Sequence, residues 1–262
     1  MSKLGLLDGL RRAVGWRSAV DILTRRMFRV SAPVRVRAGG YAFGVRPLDS
    51  DLFVASQIFG SQEYHPGALV ACALRRRAAE WRAEGRTPVI IDGGANVGYA
   101  ALFFAQQHPD AVVVAVEPDP VTFRQLAANC AGVDRILPVL AAVWSHENGV
   151  SLVTDRGHGS WAHQVVEAGA TPSRTLASLI AMIPGGRPLI IKLDIEGAER
   201  EVCAASADAL REAACLMIEP HDFMVPGAGC LSALYSALDG RRVDTLLRGE
   251  NLILYDSSLV PA

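Results

Sequence analysis

From residue 85 onward, short and wholly apolar runs alternate with stretches in which apolar residues return every three or four positions. The runs "TPVIIDGG", "AVVVAVEPDP", "RILPVLAAVWS", "RPLIIKLDIEG" and "ACLMIEPHD" predict five buried strands. The stretches "NVGYAALFFAQQHP", "PVTFRQLAANCAG", "SRTLASLIAMIPG", "AEREVCAASADALREA" and "GCLSALYSALDGR" predict the helices between and after them. "NGVSLVTDRGHGSWAHQVV" reads as a short hairpin or loop excursion, and "RVDTLLRGENLILYD" as a closing hairpin. Strands that are apolar on both faces and alternate with helices imply a parallel sheet covered on both sides. The expected architecture is α/β, a doubly wound and mostly parallel seven-stranded sheet over residues 85–262.

Residues 1–84 follow a different pattern. Leu4, Leu7, Leu10, Val14, Ile22 and Met27 are spaced as one helical face, so residues 1–30 predict one or two helices. "VRVRAGGYAFGVRP" shifts to a period of two around Gly39 and Gly40 and predicts a β-hairpin, suited to a lid or a dimer contact. Helical pieces broken near Gly60 and Pro66 then run to Gly85. We therefore expect an N-terminal helical and hairpin cap over 1–84, followed by one catalytic-size domain.

Composition narrows the function classes. With 50% hydrophobic and 20% charged residues, the chain can build a sizeable core. A formal net charge of -1 argues against a dedicated nucleic-acid binder. Five scattered cysteines with no C-x-x-C pair suit reduced thiols, hence a cytoplasmic setting, rather than a disulfide or zinc framework. No apolar run approaches the ~20 residues that span a bilayer, and no secretory signal is recognisable. Residues 1–30 carry Lys3, Arg11, Arg12, Arg17, Arg25, Arg26 and Arg29 against only Asp8 and Asp21. That segment reads as a packing helix with a solvated basic face, with weak contact to an anionic membrane surface as the second reading.

The glycine-rich junction "VIIDGGANVGYAALFFA" carries the ligand signal. A dinucleotide fingerprint wants G-x-G-x-x-G, and neither register here provides it. What stands instead is D-x-G-x-x-x-G, with Asp92, Gly94 and Gly98. An acid at the turn would repel a pyrophosphate and attract an ammonium group, which suits a ligand with an amino-acid end such as S-adenosylmethionine. Gly94 would let the backbone approach that ligand, and Gly98 would let the helix pack close to the strand. Glu117 ends the second strand, where a carboxylate can accept both hydroxyls of a ribose. Cofactor contacts are accordingly expected at Asp92, Gly94, Ala95, Asn96, Gly98, Glu117, Pro118, Ala142 and Asp194.

"IIDGGANVGYAALFFA", "VVAVEPDP", "IIKLDIEGAE" and "MIEPHD", in this order, resemble the FkbM family of S-adenosylmethionine-dependent methyltransferases. Asn96 stands where many methyltransferases carry another glycine, and K-x-D-x-E-G-A-E is the family's most distinctive segment. The resemblance covers roughly residues 50–255. "SQEYHP" is similar to the family's tyrosine–glutamate segment, with the order of the two reversed. "TLASL" carries Ala177 where the family often has an aspartate. The resemblance implies a class I, Rossmann-like methyltransferase fold and methylation of a hydroxyl on a natural product, sugar or polyketide.

In-line methyl transfer mainly needs alignment, with a base to assist the hydroxyl. The ends of strands four and five supply Lys192, Asp194, Glu196, Glu219 and His221. Asp194 and His221 are the expected catalytic pair, because imidazole titrates in the useful range and a carboxylate can orient it. Lys192 is a third catalytic candidate, or an ion-pair partner of Asp194 or Glu219. Tyr64, Ser160, Trp161, Glu196 and Glu219 are expected to face the acceptor, a small-molecule or saccharide hydroxyl. Ser160 and Trp161 lie in "DRGHGSWAHQ", with His158 and His163, which reads equally as a surface excursion. Glu199 reads as a helix opener stabilised by the dipole, and Phe103 and Phe104 as core. The acids and His221 could hold magnesium or manganese, but sequence does not bring them within coordination distance, and no metal is expected.

Three rival functions stand beside this reading. A nucleic-acid methyltransferase would show N/D-P-P-Y/F where this chain has "LDIE". An NAD-dependent oxidoreductase lacks its glycine fingerprint. A catalytically silent binding module would have little use for Asp92, Gly94, Gly98 and Glu117. Oligomeric state is open, a homodimer included.

Overall fold

The computed structural model describes residues 3–154, 163–167, 169–222, 227 and 229–260. Two helices, α1 (Lys3–Val14) and α2 (Trp16–Met27), precede a hairpin of β1 (Val34–Ala38) and β2 (Tyr41–Val45). A short α3 (Asp51–Ala55) runs into a π-helical turn (Ser56–Ser61), and α4 (Ala68–Ala83) leads to the sheet. The sheet domain then alternates β3 (Thr87–Gly93), α5 (Tyr99–Gln107), β4 (Val112–Glu117), α6 (Pro120–Cys130) and β5 (Ile136–Leu140). An excursion follows, with β6 (Ala142–Val143), β7 (Val150–Thr154), β8 (His163–Glu167) and β9 (Ser173–Arg174). The domain closes with α7 (Leu176–Ala181), β10 (Gly186–Leu193), α8 (Glu199–Ala205), α9 (Ala207–Glu212), β11 (Cys215–Ile218), α10 (Cys230–Ala237), β12 (Val243–Arg248) and β13 (Asn251–Asp256).

Seven strands form one sheet in the order β5-β4-β3-β10-β11-β13-β12. Pairing is parallel from β5 to β11, and β13 enters antiparallel between β11 and β12. The order reverses direction between β3 and β10, which is the switch point where open α/β sheets bind ligands. The apolar runs explain the double covering. Successive strand residues point to opposite faces, so Ile90, Val113 and Ala115 join one buried cluster with α4 and α5. Val89, Ile91, Val114 and Val116 join the other, with α7 to α10.

Two elements differ from the sequence expectation. The third strand stops at Leu140, and Ala142–Val143 leaves the sheet to pair with Ser173–Arg174. The edge position of β5 tolerates Pro138, which has no N–H to donate outward. The stretch expected as one helix over 198–213 is two, α8 and α9, meeting at Ser206.

Residues of α1, α2, the hairpin and α3 share their buried cluster with the sheet: Leu10, Ile22, Phe43 and Leu52 pack with Ile90, Tyr99 and Phe104. Phe43 packs against the rings of both Phe59 and Tyr99, at centroid distances of 5.2 and 4.7 Å. Polar staples add direction. The Tyr99 hydroxyl donates to the Gly44 carbonyl at 2.7 Å, and the buried Asp51 carboxylate takes Arg46 at 2.7 Å. The Asn129 amide accepts from Gly44 N and donates to Val97 O, tying the hairpin to the glycine turn. At Gly9 and Gly60, α1 and the π turn touch through backbone, and a Cβ on Gly60 would fall on the Gly9 carbonyl oxygen.

Gly60→Ala is expected to cost about 1–3 kcal/mol through overpacking at this contact. Thermal unfolding should show a lower midpoint, and limited proteolysis should cleave near α1 first.

Candidate functional site

The site assembles where β3 and β10 end side by side. The ladder continues past both strands: Asp194 N donates to Gly93 O at 3.2 Å, and Glu219 N donates to Leu193 O at 2.9 Å. Gly94 N and Ala95 N both donate to Val116 O. Residues following three adjacent strands are thereby locked to one another by backbone.

Lys192 is the centre of this edge. Its ammonium lies 3.1 Å from Asp92 Oδ1 and 3.4 Å from Asp194 Oδ2, and donates to the carbonyls of Gly93 and Gly94 at 3.1 and 2.8 Å. It also stands 5.7 Å from the centroid of the Tyr64 ring. Lysine and Asp92 are both fully buried. Burial opposes the lysine's charge, yet facing Tyr64, Asp92 and Asp194 hold its pKa well above the ordinary value. These contacts revise three sequence expectations. Lys192 braces the turn and has its donors committed, which leaves it poorly placed for chemistry. Asp92, expected to face a ligand's ammonium, faces this lysine. Burial pushes its pKa up, against the pull of Lys192. Tyr64, expected at the acceptor, is buried against Phe104 and the lysine.

The glycines serve close approaches within the chain. Gly94 has φ +72, and a Cβ there would overlap the Asp194 carbonyl oxygen. Gly98 has φ +88, and its Cβ would lie 2.6 Å from Leu126 Cδ1 and 2.9 Å from Cys130 Sγ. The neighbour that requires Gly98 is therefore helix α6, rather than the strand.

Glu117 ends β4 and is almost wholly buried. It accepts from Asn96 N at 3.0 Å and from Asp119 N at 2.9 Å, while Asp119 caps α6. Burial pushes Glu117 up to about 7, against those two backbone bonds. Each of its oxygens retains a further lone pair. Asn96 adopts left-handed backbone, φ +48, and its Oδ1 is buried with no hydrogen-bond partner. A fixed carboxylate beside an unanswered acceptor suits a ligand rich in hydroxyl and amino donors, such as the ribose and amino-acid ends of S-adenosylmethionine. Pro118 follows directly, and Ala142 is buried with its N–H on Pro172 O.

Four carboxylates surround His221. Its Nδ1 is 2.8 Å from Glu199 Oε1, and both side chains are buried. Nε2 faces Glu196 at 3.7 Å, Glu219 at 3.8 Å and Asp194 at 3.9 Å. The Glu199 carboxylate only accepts, so Nδ1 carries a proton, and Nε2 can act as an acceptor only once the ring is neutral. Burial lowers the His221 pKa, but the hydrogen bond and charge of Glu199, then Asp194 and Glu196, raise it to about 9. Burial and the Asp194 charge push Glu196 up to about 7 and Glu219 to about 8. Asp194, Glu219 and His221 offer ligand atoms within 4.8 Å of one another, so these are the residues that could hold a divalent cation.

The orienting carboxylate is thus Glu199, where the sequence reading paired His221 with Asp194. Glu199 does open α8, and its Oε1 also accepts from Ile195 N. The available signal was adjacency: β10 and β11 are neighbours, so an acid opening the helix after one can reach a histidine after the other. Ser160 and Trp161, with His158, lie outside the described residues.

The family described as the methyltransferase FkbM domain matches residues 92–248. Among curated proteins, the chain is 27% identical over 139 residues to the hexuronic acid methyltransferase AglP of Haloferax volcanii, covering 51% of this chain and 56% of that protein. It is 39% identical over 54 residues to the methyltransferase sdnD of Sordaria araneosa, covering 21% of each. The chain thus spans about half the length of the first relative and a fifth of the second. Among solved structures, the human methyltransferase 10 domain containing protein aligns over 91% of this chain and 95% of its own, at 14% identity and a TM-score of 0.42.

The His221–Glu199 pair makes stability depend on pH. The folded pKa of about 9 exceeds the ordinary 6.5. The pair's contribution is therefore fully present below about pH 6.5 and fades as pH rises through about 9. Glu199→Gln should lower the melting temperature most near pH 6 and progressively less at alkaline pH. Ring NMR should show the His221 midpoint falling by about one unit or more.

Proposed function

This chain belongs to the FkbM family of methyltransferases, and we propose that it transfers a methyl group from S-adenosylmethionine to a hydroxyl of a small natural product or saccharide. The observation that carries the reading is His221, its Nδ1 fixed by Glu199 and its Nε2 turned toward three carboxylates at the edge of the glycine turn. The cofactor, when bound, supplies a methyl already activated by its sulfonium. The protein then has to align the acceptor and take one proton.

His221 Nε2 accepts the hydroxyl proton as the oxygen attacks. The imidazolium so formed is stabilised by Glu199 on one side and by Asp194, Glu196 and Glu219 on the other. Those same carboxylates can accept from neighbouring hydroxyls of a polyol, which favours a sugar-like acceptor. The relative in Haloferax volcanii is a hexuronic acid methyltransferase, which supports that class. Glu117 and the Asn96 turn hold the cofactor's ribose side, and Lys192 keeps that turn in place through Gly93 and Gly94.

Calorimetry tests the reading directly. S-adenosylmethionine should bind the wild type at micromolar strength, NAD should give no heat, and Glu117→Ala should weaken binding by about tenfold or more. Binding of NAD alone would overturn the reading.

With an acceptor in hand, His221→Ala should lower kcat by about 10²–10⁴ while S-adenosylmethionine binding persists. The base is active when deprotonated, so the rate should climb between about pH 7 and 9. Glu199→Gln should move that limb to lower pH.

A further inference from the structure

We propose that the outward stripe of α2 and the loop after it dock on an anionic phospholipid surface. Trp16, Val20 and Met27 lie within about 40° of one another around the helix axis. All three are exposed, Trp16 at 57% and Met27 at 70%. Ala19 and Ile22 on the inward side are fully buried. The helix therefore carries a second apolar stripe that the core does not use. The chain continues it: residues 27–33 are all exposed, with Phe28 at 68% and Val30 beside it. Large apolar side chains usually surface singly, whereas here five gather within one helix and its exit loop.

Charge selects the occupant. Residues 1–37 hold nine Lys/Arg against two Asp, a balance of +7 in a chain whose total is -1. Arg17 and Arg29 flank the stripe and are exposed. Strand β1, packed beside α2, turns Arg35 and Arg37 outward. A bilayer of anionic lipid answers both features, taking Trp and Phe at its headgroup level and arginines at its charged surface. A second copy answers only one, because a two-fold contact would set this positive segment against itself. Among the described residues no helix is long and apolar enough to cross a membrane, so the contact is peripheral.

The test is co-sedimentation of the full chain with vesicles of phosphatidylcholine alone or with about a third phosphatidylglycerol. Binding should require phosphatidylglycerol and weaken as salt is raised. M27S/F28S and R17E/R29E should each reduce the bound fraction at least tenfold. Both variants alter only exposed side chains, so their melting temperatures and S-adenosylmethionine binding should match the wild type. Failure to bind either vesicle overturns the proposal, as does equal binding to both. Concentration-dependent dimerisation that M27S/F28S abolishes, without vesicle binding, would assign the surface to a second copy and overturn it equally.

Discussion

A buried ammonium holds the working edge of this protein together. Lys192 reaches across the gap between two parallel strands, answers the buried Asp92, donates to two glycine carbonyls and pairs with Asp194. Removing such a charge would strand Asp92 in the interior, a loss of about 3–5 kcal/mol for comparable buried pairs. The glycine turn cannot relax away from β10 while the lysine grips both its carbonyls. The first turn and the carboxylate cluster are therefore one construction.

The two halves of the edge are built alike. After β3 the chain passes through Asn96 at φ +48, and after β10 through Glu196 at φ +55. Left-handed backbone is unfavourable for residues other than glycine, and strain of this kind gathers at sites where the surroundings over-determine the conformation. Here the surroundings are explicit. Glu117 takes the Asn96 N–H, and Glu199 takes the Ile195 N–H just ahead of Glu196. Each turn is pinned by a buried carboxylate, one at the glycine turn and the other beside the histidine.

The cap contributes from a distance. Asn129 links Gly44 of the hairpin to Val97 of the glycine turn, and Tyr99 at the start of α5 donates back to Gly44. The N-terminal hairpin thus supports the site, while the far side of α2 is left to the solvent or to a partner surface. One segment carries packing inward and charge with exposed apolar surface outward, which explains why its amphipathic pattern was ambiguous when read alone.

Much of the fold was legible because burial on both faces forces strands to be apolar throughout, and helices between them to repeat with their own period. That pattern marks the strand ends, and the switch-point rule then points to Asp92, Gly94, Glu117, Asp194 and His221 without coordinates. Partnership was another matter. Whether Asp92 meets a ligand or Lys192, and whether Asp194 or Glu199 orients His221, depends on which strands lie side by side and on distances of an ångström or two. Periodicity carries no such information, since residues 99 or 22 positions apart meet only after the sheet has formed. The sequence by itself determined the layers and the rim of the site; tertiary structure alone decided which charge answers which, because electrostatic pairing is set by proximity in space and not along the chain.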